Sequence, residues 1–479
     1  MSGTLHRRRG LSAILALSMA VAPAAPAALA GELISPLTPT FRNLPITATS
    51  KPIRDPGEDL AKAGYVEEEY IMSGQARVFD WAADGGVKVM VPPSPYATRV
   101  LVHRPRDPAR WSGNIEVHIN NSSARHDHPR GISAYALKNG DVWVGFTSKG
   151  ITARDLQKKD PARYGDLNWK NPLPLDKTCK DPTIGPMWTR TGDYSNKDSS
   201  SFPETEDGLI YDIYGQLAAF LKGPGREKLL PGFKETPKLF TTGVSQSALL
   251  MRTWINAFHS NYRMPDGGPI FDGYQEIVGS LMYRINQCAV DFLPWDPRNQ
   301  IAVPTDAAVI NMFSESDMWK GLYSRQPDVI KGRSGLVTYE MAGSAHGGVL
   351  YPRTGIEAAA LHNLQKWVRE GVAPPRGQPI KTVYTQMQRD WHGNVIGGLR
   401  TPYLDVPVAT YQGTIAPQAS APGKKTPFAP EKLKLLYPSR DAYLAKFDAE
   451  VDRMVRERWL LPEGAEQMKA DARKAPIPE

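Results

Sequence analysis

Residues 238–258 read KLFTTGVSQSALLMRTWINAF, and Ser245 stands at the centre of this stretch. β-Formers at 238–242 run into Gly243-Val244-Ser245-Gln246-Ser247. An apolar helical stretch follows at once, with Ala248, Met251, Ile255 and Phe258 on one face and Leu250 and Trp254 beside it. Strand, sharp turn and buried helix in that order hold a hydroxyl clear of both flanking elements. The N–H of Gln246 and the positive end of the helix lie beside it, where negative charge develops on a carbonyl oxygen during acyl transfer. The usual form of the motif, G-x-S-x-G, ends on a glycine. Here position 247 is a serine, a second hydroxyl in the same turn, and the purely structural alternative is a Ser-rich turn entering a core helix.

A serine hydroxyl is a weak nucleophile until a base takes its proton, and the base needs a carboxylate to orient it. His346 lies in AGSAHGG at 342–348, directly after the last strand-like run, among residues small enough to let its ring reach inward. The carboxylates of Ser314-Glu315-Ser316-Asp317 follow the strand-like run 307–313; Asp317 is the expected orienting acid and Glu315 the alternative. A second oxyanion N–H is expected from Ser122 or Ser123, in the polar loop after the strand 114–119. Asp390 and His392 form another acid and base pair, but beyond the closing helix. His126-Asp127-His128 lacks the further partner that a closed zinc site needs, so it reads as a polar rim. Neither metal nor cofactor is expected.

These residues must be positioned by elements. β-rich runs at 65–71, 76–81, 87–91 and 96–103 make a strand-rich entry to the fold, 114–119 is the next strand, and 141–147 reads as a buried parallel one. Helical spacing returns at 209–221. Strands are expected at 271–278, 307–313 and 336–341, a closing helix at 356–368 and an amphipathic helix at 441–461. Alternation of strand and helix predicts an α/β fold with a mostly parallel sheet covered by helices on both faces. Residues 31–59 read as surface chain without regular structure. Residues 156–208 read as a structureless insert, a lid or substrate rim, where Tyr164, Trp169 and Trp188 either select substrate or form a small core of the loop's own. The domain organisation expected is a leader at 1–30, a main domain at 31–374 with that insert, and an extension at 375–479 packed on the domain.

Arg7, Arg8 and Arg9, an apolar run at 11–22 and Ala28-Leu29-Ala30 have the pattern of a signal peptide, implying an exported, periplasmic or extracellular protein with no stable membrane anchor. Removing residues 1–30 takes away those three arginines and no carboxylate, lowering the formal charge from +8 to +5. No Lys/Arg block accompanies it, which argues against nucleic acid as a partner. Forty-two prolines and forty-one glycines suit a loop-rich globular chain. Cys179 and Cys288, the only cysteines, either bridge in an oxidising compartment or remain two buried thiols.

The chain resembles the bacterial family described as alpha/beta hydrolase domain proteins. The resemblance is carried by GYVEEEY at 64–70, TRVLVHRP at 98–105, GVSQSA at 243–248, GSAHGG at 343–348, HGNVIGGLRTP at 392–402 and RWLLPEGA at 458–465. It implies an α/β-hydrolase fold with an integral C-terminal extension, and an elbow in which Gln-Ser follows the nucleophile. The chain departs from the family after Asn120, where Ser122, Ser123 and Ala124 stand in place of a Gly-rich segment. The expected activity is cleavage of a small-molecule or polymer-derived carboxylic ester by Ser245, His346 and Asp317, with the N–H of Gln246 and one from Ser122 or Ser123 holding the oxyanion. An amidase or peptidase using the same residues and a catalytically silent ligand-binding module are the alternatives.

Overall fold

A computed structural model describes residues 32–55, 57–122, 133–173, 204–289, 292–347, 350–351, 353–414 and 422–477. Ten strands make one sheet: β1 (Thr40–Asn43), β2 (Tyr65–Trp81), β3 (Val87–Pro105), β4 (Asn114–Ile119), β5 (Val142–Phe146), β6 (Lys238–Val244), β7 (Gly273–Ile277), β8 (Ala308–Ser314), β9 (Val329–Lys331) and β10 (Ser334–Met341). Their order is β1-β2-β3-β5-β4-β6-β7-β8-β10-β9. The pairs from β5 across to β10 are parallel, while β1, β2 and β3 enter antiparallel on one side and β9 closes the other edge antiparallel. β4 and β5 are buried along their whole length, as strands covered on both faces must be.

Alternate residues feed two cores. Val309 and Leu336 join one, with helices α1 (Leu209–Lys222) and α2 (Gln246–Ala257). Ala308, Ile310, Met312, Val337 and Tyr339 join the other, with helix α3 (Thr354–Glu370). The two-residue period of a strand therefore becomes the two helical layers of the fold.

Several local expectations change. The four short entry strands are two long ones, because irregularities at Ala76–Phe79 are absorbed as a bulge rather than a break. Pro92, Pro93 and Pro95 are tolerated in β3 because it pairs with β5 only at 100–103, leaving the proline stretch without that second ladder. The N-terminal stretch is not wholly irregular: β1 adds an edge strand, and Ile34, Phe41 and Leu44 are buried. The start of the expected insert is folded too. Residues 150–159 are helical, a short helix follows at Pro161–Tyr164, and Tyr164, Leu167 and Trp169 lie in the core. The Tyr164 hydroxyl donates to Glu69 at 2.9 Å. Tyr164 and Trp169 are thus packing residues rather than a substrate rim, while Trp188 and residues 174–203 lie outside the described residues, as do residues 1–31.

After α3 the chain returns to the sheet. Leu399 donates from its N–H to Glu340 and accepts from Ala342, laying residues near 399 beside the end of β10. The helix expected at 441–461 ends early, as α4 (Arg440–Arg456), and a further helix that was not expected follows it, α5 (Pro462–Ala472). The break falls at Arg458, at φ 64°, which turns Leu460 into the core before Pro462 starts the next helix. Tyr443, Phe447, Val451 and Met454 of α4 bury their stripe in the second core. Cys288 is disulfide-bonded; the chain's other cysteine, Cys179, lies outside the described residues.

Candidate active site

Parallel strands open all their carboxyl ends on one edge, and there the loops after β4, β6, β8 and β10 meet. Ser245, between β6 and α2, has φ 57° and ψ −120°, a backbone conformation that non-glycine residues rarely hold. Its surroundings enforce it. The Ser245 N–H donates to the Ile277 carbonyl at 2.9 Å, and the helix begins at the next residue. Gly243 is required because a Cβ there would meet the Ser247 carbonyl oxygen at 2.7 Å and the Ala248 nitrogen at 2.8 Å. The strain thus stored aims the hydroxyl out of the turn.

His346, 101 residues further on, presents Nε2 to Ser245 Oγ at 2.7 Å. Its Nδ1 lies 2.7 Å from Asp317 Oδ1. With its proton on Nδ1, donated to Asp317, the imidazole leaves Nε2 free to accept the serine proton. Asp317 is fully buried, and its other oxygen accepts from the Ser314 hydroxyl. Ser316 Oγ accepts from the His346 N–H at 2.6 Å. Lys320 is buried one turn beyond; burial pushes its ammonium pKa down, and the charge of Asp317 opposes that shift.

The N–H of Gln246 opens the twelve-residue helix α2 and has no acceptor among the described residues, as befits the first turn of a helix. Ser122, in the loop after β4, is buried and donates through its hydroxyl to the Gln246 carboxamide. Asn121 Nδ2 donates to the Val244 carbonyl at 2.7 Å, tying the same loop to the elbow. Ser122 is therefore at the site; Ser123 lies outside the described residues.

A family model described as "Alpha/beta hydrolase domain" matches residues 35–354 and 350–470. The chain belongs to the alpha/beta hydrolase domain family. Among solved structures it is similar to a proposed dienelactone hydrolase of Klebsiella pneumoniae, at 12% identity and TM-score 0.32, over 62% of this chain and 98% of that one. A second likeness is to a proposed acetyl xylan esterase of Bacteroides fragilis, at 10% identity and TM-score 0.28, over 60% and 66%. No curated protein matches the chain in sequence.

The remaining candidates in this alpha/beta hydrolase fall elsewhere. Ser247 is buried, and its hydroxyl donates to the Val244 carbonyl at 2.9 Å and accepts from the Val244 N–H at 2.8 Å. It closes the elbow by bonding it and is not free to attack. Glu315, the alternative acid, is turned away from the imidazole toward the N–H of Gly343 and the Arg389 guanidinium. Asp390 spends one oxygen on the N–H groups of His392 and Asn394 and the other on Arg400, while the His392 ring stacks against Trp391 and Phe428. That pair is a turn, not an acid and base. His126, Asp127 and His128 lie outside the described residues. Among the described residues no group of three or more His, Cys, Asp or Glu is arranged to hold a metal ion.

Sequence reasoning missed the supporting hydroxyls of Ser314 and Ser316. The motif SESD held them in view, but serines in a polar loop carry no mark of which way they point.

Proposed function

We propose that this alpha/beta hydrolase cleaves carboxylic esters through an acyl-enzyme on Ser245. The observation that carries the reading is the unbroken line from Ser245 Oγ to His346 Nε2 and from His346 Nδ1 to Asp317, at 2.7 Å for each link. As Ser245 Oγ bonds to the ester carbonyl carbon, its proton passes to His346 Nε2, and Asp317 stabilises the imidazolium that forms. The negative carbonyl oxygen is held by the N–H of Gln246, assisted by the helix dipole, and by the N–H of Ser122. Collapse expels the alcohol, which leaves with the proton from His346. Water then repeats the sequence on the acyl-serine, releasing the acid and restoring the hydroxyl. No metal or redox group is needed to balance either half.

The protein is read as an exported enzyme of the periplasm or the extracellular space. The leader-like pattern at 1–30 supports this, as does the disulfide at Cys288, a bond that persists in oxidising compartments.

Wild type and Ser245→Ala, compared on p-nitrophenyl esters and with a fluorophosphonate probe, test the reading. Wild type should turn over the esters and take one label, and Ser245→Ala should lose both, with kcat down by about 10^4-fold or more. Labelling retained by the alanine variant would displace Ser245 as nucleophile. A wild type that takes neither label nor ester would leave a silent binding module.

A further inference from the structure

Glu315 takes no part in the proton transfer, yet it is wholly buried and its carboxylate and backbone carbonyl are all engaged. Its Oε2 accepts from the Gly343 N–H at 2.9 Å and its Oε1 from the Arg389 guanidinium at 2.8 Å. Its backbone carbonyl accepts from the Thr414 hydroxyl at 3.0 Å. The first partner belongs to the loop that carries His346. The other two belong to the chain beyond α3.

The loop after β8 and the loop after β10 are in fact laced residue by residue. Glu315 holds the Gly343 N–H, Ser316 holds the His346 N–H at 2.6 Å, and Asp317 holds the His346 ring at 2.7 Å. Three consecutive residues thus grip three points of the histidine loop, and only the last grip belongs to the chemistry. The outermost one, Glu315, is the one held from outside by the C-terminal segment. That segment also sits hard against both loops: a Cβ at Gly413 would meet the Ser344 carbonyl oxygen at 2.1 Å and the Glu315 Cβ at 2.7 Å.

We propose that the C-terminal segment is an outer brace of the triad, with Glu315 and Arg389 as positioning residues that fix the spacing between the Asp317 loop and the His346 loop. The proposal rests on the serine-hydrolase reading above. Its physical ground is that loops are the mobile part of such a fold, while proton transfer tolerates little displacement. A misplacement of about 1 Å costs roughly 100-fold in rate. A buried carboxylate can serve as an anchor only while its charge is met, and Arg389 is the cation that meets it.

The test compares wild type, Arg389→Met, Arg389→Lys, Glu315→Gln and Thr414→Val on a p-nitrophenyl ester, with thermal melts and fluorophosphonate labelling alongside. A displaced histidine loop should lower kcat of the folded Arg389→Met enzyme by about 10- to 100-fold with KM within about twofold, and should slow labelling in parallel. Glu315→Gln should behave alike, because its amide would face a donor at Gly343 or at Arg389. Arg389→Lys, which restores the charge, should recover most of the loss, and Thr414→Val should cost a smaller part of it. Variants that melt earlier yet keep wild-type kcat and labelling rate would reduce the brace to a fold-stabilising contact and overturn the proposal. Should Arg389→Met fail to fold, full activity in both Glu315→Gln and Thr414→Val would overturn it equally. A wild type inert to ester and probe would remove the hydrolase reading and the brace with it, whereas an active wild type with unaffected variants removes the brace alone.

Discussion

Two histidine–aspartate pairs lie at opposite edges of the sheet. At the carboxyl edge His346 joins Asp317 to Ser245. At the amino edge, where β7 and β8 begin, His259 Nε2 lies 2.8 Å from Asp306 Oδ1 and its Nδ1 lies 2.8 Å from the Tyr274 hydroxyl. Hydroxyl, imidazole and carboxylate occur in the same order in both, and an open cavity of about 500 Å³ lined in part by His259, Arg263 and Asp306 lies beside the second. The difference is in the outer partners. Burial raises the Tyr274 hydroxyl pKa far above its ordinary value, so this hydroxyl keeps its proton. Burial also pushes the Asp306 carboxyl up, but its bonds to His259 and Arg263 outweigh that and leave it below the usual carboxylate range. The hydroxyl, imidazole and carboxylate of this second group all have partners. At the carboxyl edge the hydroxyl sits on a strained turn beside the N–H of Gln246, which has no acceptor among the described residues. A histidine–carboxylate bond alone does not mark a catalytic base; what sets the carboxyl edge apart is a serine on a strained turn with a backbone donor beside it.

The largest expected effect sharpens this contrast at its carboxyl end. Asp317→Asn keeps the shape of the acid loop but presents an amide to His346 Nδ1, favouring the wrong tautomer. A kcat lower by about 10^4-fold is expected from steady-state turnover of a p-nitrophenyl ester. Glu315→Gln, two residues away, should cost far less. The reverse ranking would exchange the roles of the two carboxylates.

This ranking also marks how far the sequence alone carries. The elbow was legible because the change from strand period to helix period around Gly243 and Ser245 is local, and the steric demand at Gly243 belongs to the same few residues. His346 and Asp317 were legible because each follows a strand-like run, and the parallel topology sends every such loop to one edge. Nothing in SESD says that Glu315 and Ser316 are also engaged, since their partners lie up to 99 residues away. The burial of Tyr164 was hidden for the same reason, since its partners Glu69 and Arg99 are on distant β2 and β3, and aromatic residues such as Tyr164 and Trp169 in a polar stretch look alike whether buried or exposed. The early end of α4 at Arg456 goes with the turn at Arg458 and the burial of Leu460, which the regular period of residues 441–461 conceals.

A carboxyl with neither kind of partner extends the comparison and gives the next effect in size. Glu116 of β4 is fully buried, and neither oxygen has a hydrogen-bond partner among the described residues. Burial pushes it up to about 8, tempered by the nearby Thr242 hydroxyl, whose own bond goes to Gln275 at 3.3 Å. With the folded value above the unfolded one of about 4.3, the folded state holds a proton that the unfolded state has released. Its stabilising contribution is full at low pH and is lost as pH rises through the window up to about 8. Thermal melts should therefore show wild type losing roughly 3–4 kcal/mol between pH 5 and pH 8 from this group, and Glu116→Gln should flatten that slope. Parallel slopes in the two proteins would show that Glu116 is ionised in the fold.

The smallest expected effect on turnover tests the amino edge. Asp306→Asn removes the charge shared by His259 and Arg263 but touches no loop of the site, so kcat/KM should stay within about twofold of wild type. Because Asp306 is partly exposed, the lost ion pairs should lower Tm by only about 1–3 °C. A drop approaching that of Asp317→Asn, in a protein that melts normally, would give the two histidine–aspartate pairs equal standing. It would mean that α2, which runs from Gln246 beside Ser245 to Ala257 near His259, carries a functional link from one edge of the sheet to the other. A silent Asp306→Asn beside a crippled Asp317→Asn leaves proton transfer to the pair that meets a strained serine.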